Sequence, residues 1–341
     1  MTYPYRKLTL AFGLVFALPY ADPSLAAASP SAALFDKYMA AGLPQAFALP
    51  RSVDDERGQG VDDVIVEERL DTDVVYPDGS HATTYVGTAN GEEATFTRIG
   101  DALSVSVFSE TPPLAAASLH AHGDALPGVD DVVAPPAAAL HAPASPSLSN
   151  ASPARELQFW IFLHDKSGES NYAKFHSWYL GWWVRDMERT VNPGVPIKVF
   201  IVDRVPGVTD FDYHQGTRGE ALIGFRAAAD NHLNRNGNMP SALRKTMLFV
   251  NEPAANWEGV YGLALQSDTV AFATGAGPRH GVAHEFGHTL NALHEYGETR
   301  FLCVTNMRPY IFGLHSCRIY SGRNDAQIRS YVQEVLRRFD E

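Results

Sequence analysis

Short runs of alternating apolar and polar residues fill the stretch from residue 61 to residue 110. This period of two is typical of half-buried strands, and turn-forming residues at 77–79 (Pro-Asp-Gly) and 90–91 (Asn-Gly) separate the runs. Residues 29–60 have a weaker pattern, which favours one short helix within 32–46. The sequence therefore predicts a small β-rich region over residues 29–111.

From Arg155 onward the pattern changes to long apolar runs and helical periods. Uninterrupted apolar runs indicate buried strands, and a helical period indicates helices that pack on a sheet. The predicted strands cover residues 156–165, 195–203, 244–251 and 261–274, and the predicted helices cover 171–191, 281–293 and 325–339. This order predicts an α/β (α+β) fold for residues 155–341.

The first 28 residues have the layout of a secretory signal peptide. Arg6 and Lys7 precede a mostly apolar run at 8–20, and small residues at 26–28 offer a cleavage site near Ala28. The apolar run is too short to span a bilayer, which takes about 20 helical residues. We therefore expect a secreted or periplasmic protein with no membrane contact after the signal is removed.

Residues 112–154 are dominated by Pro, Ala and Ser, which predicts an extended linker between two regions of different character. Residues 29–154 hold 18 acidic and 5 basic side chains, whereas residues 155–341 hold 20 of each sign. The whole chain of 341 residues has a formal charge of -12, which argues against a nucleic-acid partner because such a partner requires a basic surface. Two cysteines exclude a disulfide-dense miniprotein and a four-thiolate zinc site.

A histidine-rich stretch carries the strongest chemical pattern. His284 and His288 are four residues apart, so a helix places both imidazoles on one face, within reach of one Zn²⁺ ion. Glu285 stands beside the first of them and can act as general base toward a water molecule. His294 serves as a third ligand if the chain turns sharply after the helix, and Asn291 tolerates the left-handed backbone of such a turn.

This pattern predicts a zinc-dependent endopeptidase with one catalytic ion and a protein or peptide substrate. Two alternatives use the same residues. A zinc peptidase could take a downstream carboxylate such as Glu298 as its third ligand instead of His294. An exported binding protein or adhesin could hold zinc for structural reasons alone, without turnover.

The motif H-E-x-x-H-x-x-N-x-x-H resembles the signature of the metzincin clan of zinc endopeptidases, over roughly residues 155–341. The resemblance implies a mixed twisted sheet, an active-site helix and a methionine turn beneath the metal, for which Met307 is the match. Residues 307–309 (Met-Arg-Pro) are similar to reprolysin-type members, whereas Glu295 is similar to astacin-like ones. An astacin-like site implies a tyrosine that stabilises the oxyanion, and Tyr310 is its candidate, one position further along.

The same resemblance implies that a substrate lies extended along an edge strand, for which we expect residues 261–274. Residues 263–265 are the candidates for the contact, with a place in the core as the equal alternative. Cys303 and Cys317 bracket the methionine turn, and in an exported protein we expect them to form a disulfide, with two separate thiols as the alternative. Residues 29–111 have the position of a prosegment of an inactive precursor (a zymogen), or else form an accessory β module. A cysteine switch is excluded because no Cys precedes Cys303.

Overall fold

A computed structural model describes residues 29–50, 53–55, 58–108, 132–133, 155–257, 259–309 and 314–340. The expected signal peptide, Tyr310 and the expected linker, apart from residues 132–133, lie outside these ranges. Within them, no helix is long and apolar enough to cross a membrane.

The described residues of the N-terminal region form one helix and six strands. Helix α1 (Pro30–Ala40) begins after Ser29, whose hydroxyl accepts the Ala32 N–H. The strands are β1 (Gln45–Ala48), β2 (Asp63–Arg69), β3 (Asp73–Val75), β4 (His81–Ala89), β5 (Glu92–Ile99) and β6 (Ala102–Val107). Antiparallel pairing links β1 to β2, β4 to β2, β3 and β5, and β5 to β6. Side chains of β1, β2, β5 and β6 share one apolar core with Phe35 of α1, whereas Val74 of β3 and Val86 of β4 join the core of the central strands.

The C-terminal region contributes the central strands of the sheet. They are β8 (Leu157–Leu163), β9 (Ile197–Val202), β10 (Arg244–Val250), β11 (Gly262–Leu265) and β12 (Val270–Thr274). In space, β9, β8, β10 and β12 are parallel neighbours in that order, and β11 runs antiparallel beside β12. The two-residue strand β7 (Val132–Val133) then pairs in parallel with β11.

Helices cover both faces of these central strands. Residues 172–191 combine α-helical turns, α2 (Tyr172–Phe175) and α3 (Gly181–Arg185), with wider π turns (His176–Leu180 and Asp186–Val191). The remaining helices are α4 (Arg218–Arg235), α5 (Gly281–Thr289) and α6 (Gly322–Phe339). Alternate residues of β8 enter two different apolar cores, one with α3, α5 and α6 and the other with α4. The central strands therefore lie between two helical layers, which explains why their runs are continuously apolar.

The two regions share one sheet. Strand β3 pairs in parallel with β9, with Val74 opposite Val199. The order across the described strands is β1-β2-β4-β3-β9-β8-β10-β12-β11-β7, with β5 and β6 continuing from β4. A change in composition separates the regions in the sequence, but pairing between distant strands joins them in the fold.

Polar contacts strengthen this junction. The Glu188 carboxylate accepts the backbone N–H groups of Asp71 and Thr72 at 2.7 and 2.8 Å and the Thr72 hydroxyl at 2.6 Å. Tyr76 Oη lies 2.6 Å from Nδ1 of His176, which is fully buried. Burial lowers the pKa of His176 to about 3, so this imidazole is neutral and the contact is an uncharged hydrogen bond.

Two predicted elements differ from the structure, and one observed helix was not predicted. The single strand expected over 261–274 is wrong, because the chain reverses at Ser267 (φ 57°) and forms the hairpin of β11 and β12. The active-site helix ends at Thr289 and not at residue 293. Helix α4 lies where the pattern predicts no element, although a capping box of Thr217 and Glu220 marks its start.

Candidate metal centre

Three histidine side chains converge at the end of α5. The Nε2 atom of His288 lies 3.2 Å from that of His284 and 3.0 Å from that of His294, and the third separation is also 3.0 Å. His284 and His288 are buried, and His294 is half-buried. Among the described residues this is the one group of three or more His, Cys, Asp or Glu side chains close enough to share a metal ion.

The third histidine reaches the site because the chain turns back after the helix. Asn291 has φ 68°, the left-handed conformation that the sequence predicts for this position. Its Oδ1 accepts the Ser267 hydroxyl at 2.9 Å, which ties the turn to the β11–β12 hairpin. On the other side, Asn324 of α6 accepts the Leu293 N–H at 2.8 Å and donates to the Leu293 carbonyl. The residue just before His294 is therefore fixed through its backbone.

Hydrogen bonds orient two of the imidazoles toward the centre. Nδ1 of His284 lies 2.6 Å from the Asn306 carbonyl, and Nδ1 of His288 lies 3.1 Å from Gln266 Oε1. A carbonyl oxygen can only accept, so Nδ1 carries the proton in each ring and Nε2 presents its lone pair. Gln266 Nε2 donates to the carbonyl of Ala292, which agrees with its Oε1 facing His288.

Glu285 is buried, and its side chain lies between α5 and the first residue of β11. A Cβ atom on Gly262 would be 2.6 Å from both Cγ and Cδ of Glu285, so only glycine leaves room for this carboxylate. The carboxylate is thus close to the strand that we expected to hold a substrate. That strand contains residues 263–265, all fully buried.

Met307 lies directly beneath α5. A Cβ atom on Gly287 would collide with the Met307 Sδ, so the sulfur packs against the helix backbone between the two histidines of α5. On the same side, the Tyr320 hydroxyl donates to the Ala283 carbonyl and accepts the Trp183 indole N–H. Met307 is fully buried.

The expected disulfide is present, since Cys303 and Cys317 are bonded. It closes the segment that follows the hairpin of β13 (Thr299–Arg300) and β14 (Cys303–Val304); the latter also pairs with β15 (His315–Ser316). Glu298, the alternative third ligand, does not join the histidine cluster. Its carboxylate is exposed and pairs with Arg300 at 3.1 Å.

The donor set fits zinc. Three imidazole nitrogens that each lie about 2.0–2.1 Å from a tetrahedral ion are separated by roughly 3.3 Å, close to the separations seen here. Three nitrogens without a carboxylate or thiolate match the ligand set of zinc sites that keep a fourth position open. Sequence reasoning found all three histidines and Glu285. It missed Gln266 and the Asn306 carbonyl, since no local pattern links them to the histidines.

No family model matches the chain, and no curated protein matches it. The solved structures that resemble it include metalloproteinase-II from Bacteroides fragilis, with a TM-score of 0.44 and 14% identity over 79% of this chain and 87% of that one. Archaemetzincin from Archaeoglobus fulgidus, in complex with malonate, has a TM-score of 0.29 and 13% identity over 50% of this chain and 99% of that one.

Proposed function

We propose that this chain is a zinc-dependent endopeptidase. The observation that carries the proposal is the convergence of three Nε2 atoms, 3.0–3.2 Å apart, beside the buried carboxylate of Glu285. His284, His288 and His294 hold the metal, and Met307 supports α5 from below. The disposition agrees with the metzincin resemblance of the motif, and the family within that clan stays open.

The chemistry divides between the ion and the side chains. Zinc, when bound, supplies a Lewis acid that polarises the scissile carbonyl and makes a water molecule more acidic. Glu285 takes the proton from the attacking water and delivers it to the leaving amine. Asn306 and Gln266 keep the Nε2 lone pairs of His284 and His288 directed at the centre.

Strand β11 is the edge on which we place an extended substrate. In the structure Ala264 and Leu265 of β11 pair with Val132 and Val133, so this edge accepts a further strand. The substrate would run antiparallel to β11, as the resemblance implies, whereas β7 runs parallel. The peptide groups of β7 therefore pass Glu285 in the opposite chain direction from those of a substrate.

We assign the inhibitory role of the precursor to the linker and not to residues 29–108. The linker strand β7 covers part of β11, and a substrate needs the same edge. Residues 29–108, by contrast, supply β3 to the central sheet and two backbone donors to Glu188. A cut within 109–131 or 134–154 would therefore free β11 and leave an enzyme of two associated chains.

Export is the remaining part of the proposal. It rests on the signal-peptide layout of residues 1–28, and the disulfide between Cys303 and Cys317 suits an oxidising compartment outside the cytoplasm. The protein would be secreted or periplasmic, with cleavage near Ala28.

The test compares three proteins on a peptide library. They are the intact chain from Ser29, the same chain cut at a specific protease site introduced within 134–154, and the cut Glu285→Gln variant at equal zinc content. We expect cleavage by the cut protein, much less by the intact one, and none by the variant. Bound zinc with no cleavage by any of the three would instead favour a binding protein with a structural metal site.

A further inference from the structure

Gly262 makes an unusually close approach to the proposed general base. A Cβ atom at this position would lie 2.6 Å from Cγ and Cδ of Glu285 and nearer still to Oε1, whereas real Cβ atoms do not come within 3.0 Å of other heavy atoms. The backbone of Gly262 is not in the left-handed region that favours glycine. Conformation therefore does not explain a glycine here, and the contact with Glu285 does.

We propose that Gly262 is a positioning residue for Glu285, which holds the carboxylate against the first residue of β11. The inference rests on the proposed function and extends it. The backbone against which Glu285 packs belongs to β11, the strand on which we place the substrate. Base and substrate are then aligned by one piece of backbone.

Neither partner of this contact can move freely. Strand β11 is held by β12, where Gly262 is opposite Ala273 and the Thr274 N–H donates to the Tyr261 carbonyl at 3.1 Å. Helix α5 is held by the packing of Met307 against Gly287. A methyl group at 262 must therefore turn the carboxylate away or push β11 outward, and both changes separate the base from its place beside the substrate.

The first experiment measures kcat, KM and zinc affinity for the cut form of Gly262→Ala. A displacement of about 1 Å at a reacting group can lower the rate about 100-fold, so we expect kcat to fall by about that factor. Zinc affinity should stay near the wild-type value, because the partners of His284 and His288 are Asn306 and Gln266. Gly281→Ala is the matched control, since a Cβ there at the start of α5 meets nothing within 4 Å.

Rescue distinguishes positioning from general damage. Asp is one methylene shorter than Glu, so its carboxylate withdraws from position 262. Gly262→Ala should therefore cost much less in kcat when combined with Glu285→Asp than it does beside Glu285. Equal costs in the two backgrounds would overturn the proposal, as would a loss of zinc affinity parallel to the loss of kcat.

A measurement on the metal-free protein needs no activity. Gly262→Ala should lower Tm by roughly 2–4 °C when Glu285 is present and should not lower it in a Glu285→Ala background. An equal decrease in Tm in both backgrounds would show that the effect of Gly262→Ala does not come from Glu285, and would overturn the proposal. If the wild-type protein cleaves no peptide, the proposed function fails, yet this thermal cycle still decides whether Gly262 positions Glu285.

Discussion

Asp186 is a buried carboxyl group on the side of α5 where Met307 packs, and its ionisation should weaken the fold as the pH rises. Its side chain is fully buried, and its Oδ2 accepts the Tyr320 N–H at 2.9 Å. Burial raises the pKa of Asp186 from 3.8 to about 8, despite this hydrogen bond, and the charge of Asp325 adds to the increase.

The direction of the pH dependence follows from this increase. The folded-state pKa lies above the unfolded one, so the folded protein binds the proton more tightly. The stabilisation is complete below pH 3.8 and is lost progressively as the pH rises through about 8. Each pKa unit corresponds to about 1.4 kcal/mol, so a change of about four units corresponds to a loss of at most about 5–6 kcal/mol from the free energy of unfolding as Asp186 ionises.

Asp186→Asn tests this reasoning, because the amide keeps an oxygen for the Tyr320 N–H and cannot ionise. Urea unfolding of the metal-free wild type and variant, at about pH 5, 7 and 9, should show the variant gaining several kcal/mol relative to the wild type as the pH rises. The exposed Asp101→Asn serves as control and should show no such trend. A wild-type-to-variant difference that stays constant with pH would refute the argument.

Other predictions concern the metal centre and its supports. His294→Ala should lower zinc affinity by at least about 10-fold and Glu298→Ala should not, as measured by competition with a chromophoric chelator; the reverse result would identify Glu298 as the third ligand. Gln266→Ala should lower zinc affinity by about 10–100-fold in the same assay, since it leaves the His288 Nδ1–H without its acceptor. The double variant Cys303→Ser/Cys317→Ser should lose about 3 kcal/mol in urea unfolding, and unchanged stability would show that the loop is held without its disulfide.

The metal centre was predictable because its information is local. The three proposed ligands, the proposed base and the turn residue Asn291 all lie within eleven consecutive positions. Helical spacing alone places two imidazoles together, and one left-handed residue returns the chain for the third. The disulfide was predictable for a similar reason, since its two cysteines have no other partner and bracket one short segment.

The remaining features depend on contacts between distant positions. An alternating pattern identifies β3 as a strand, but nothing in it says that β9 is its neighbour, with Val74 opposite Val199, 125 residues later in the chain. The hairpin at Ser267 escaped prediction because it uses a positive φ at a residue other than Gly, Asn or Asp. Gly262 gave no signal either, because its role is set by the side chain of Glu285.

The pairing of β3 with β9 also governs how the chain can be shortened for production. A fragment that begins at Arg155 would leave β9 with one row of open N–H and C=O groups, beside side chains such as Val199 and Ile201 that are buried in the intact sheet. An edge of that kind recruits strands from other molecules, so such a fragment should aggregate in expression trials. The residues before the linker thus protect the edge of β9 from pairing with other molecules, and any recombinant version of this protein should include them.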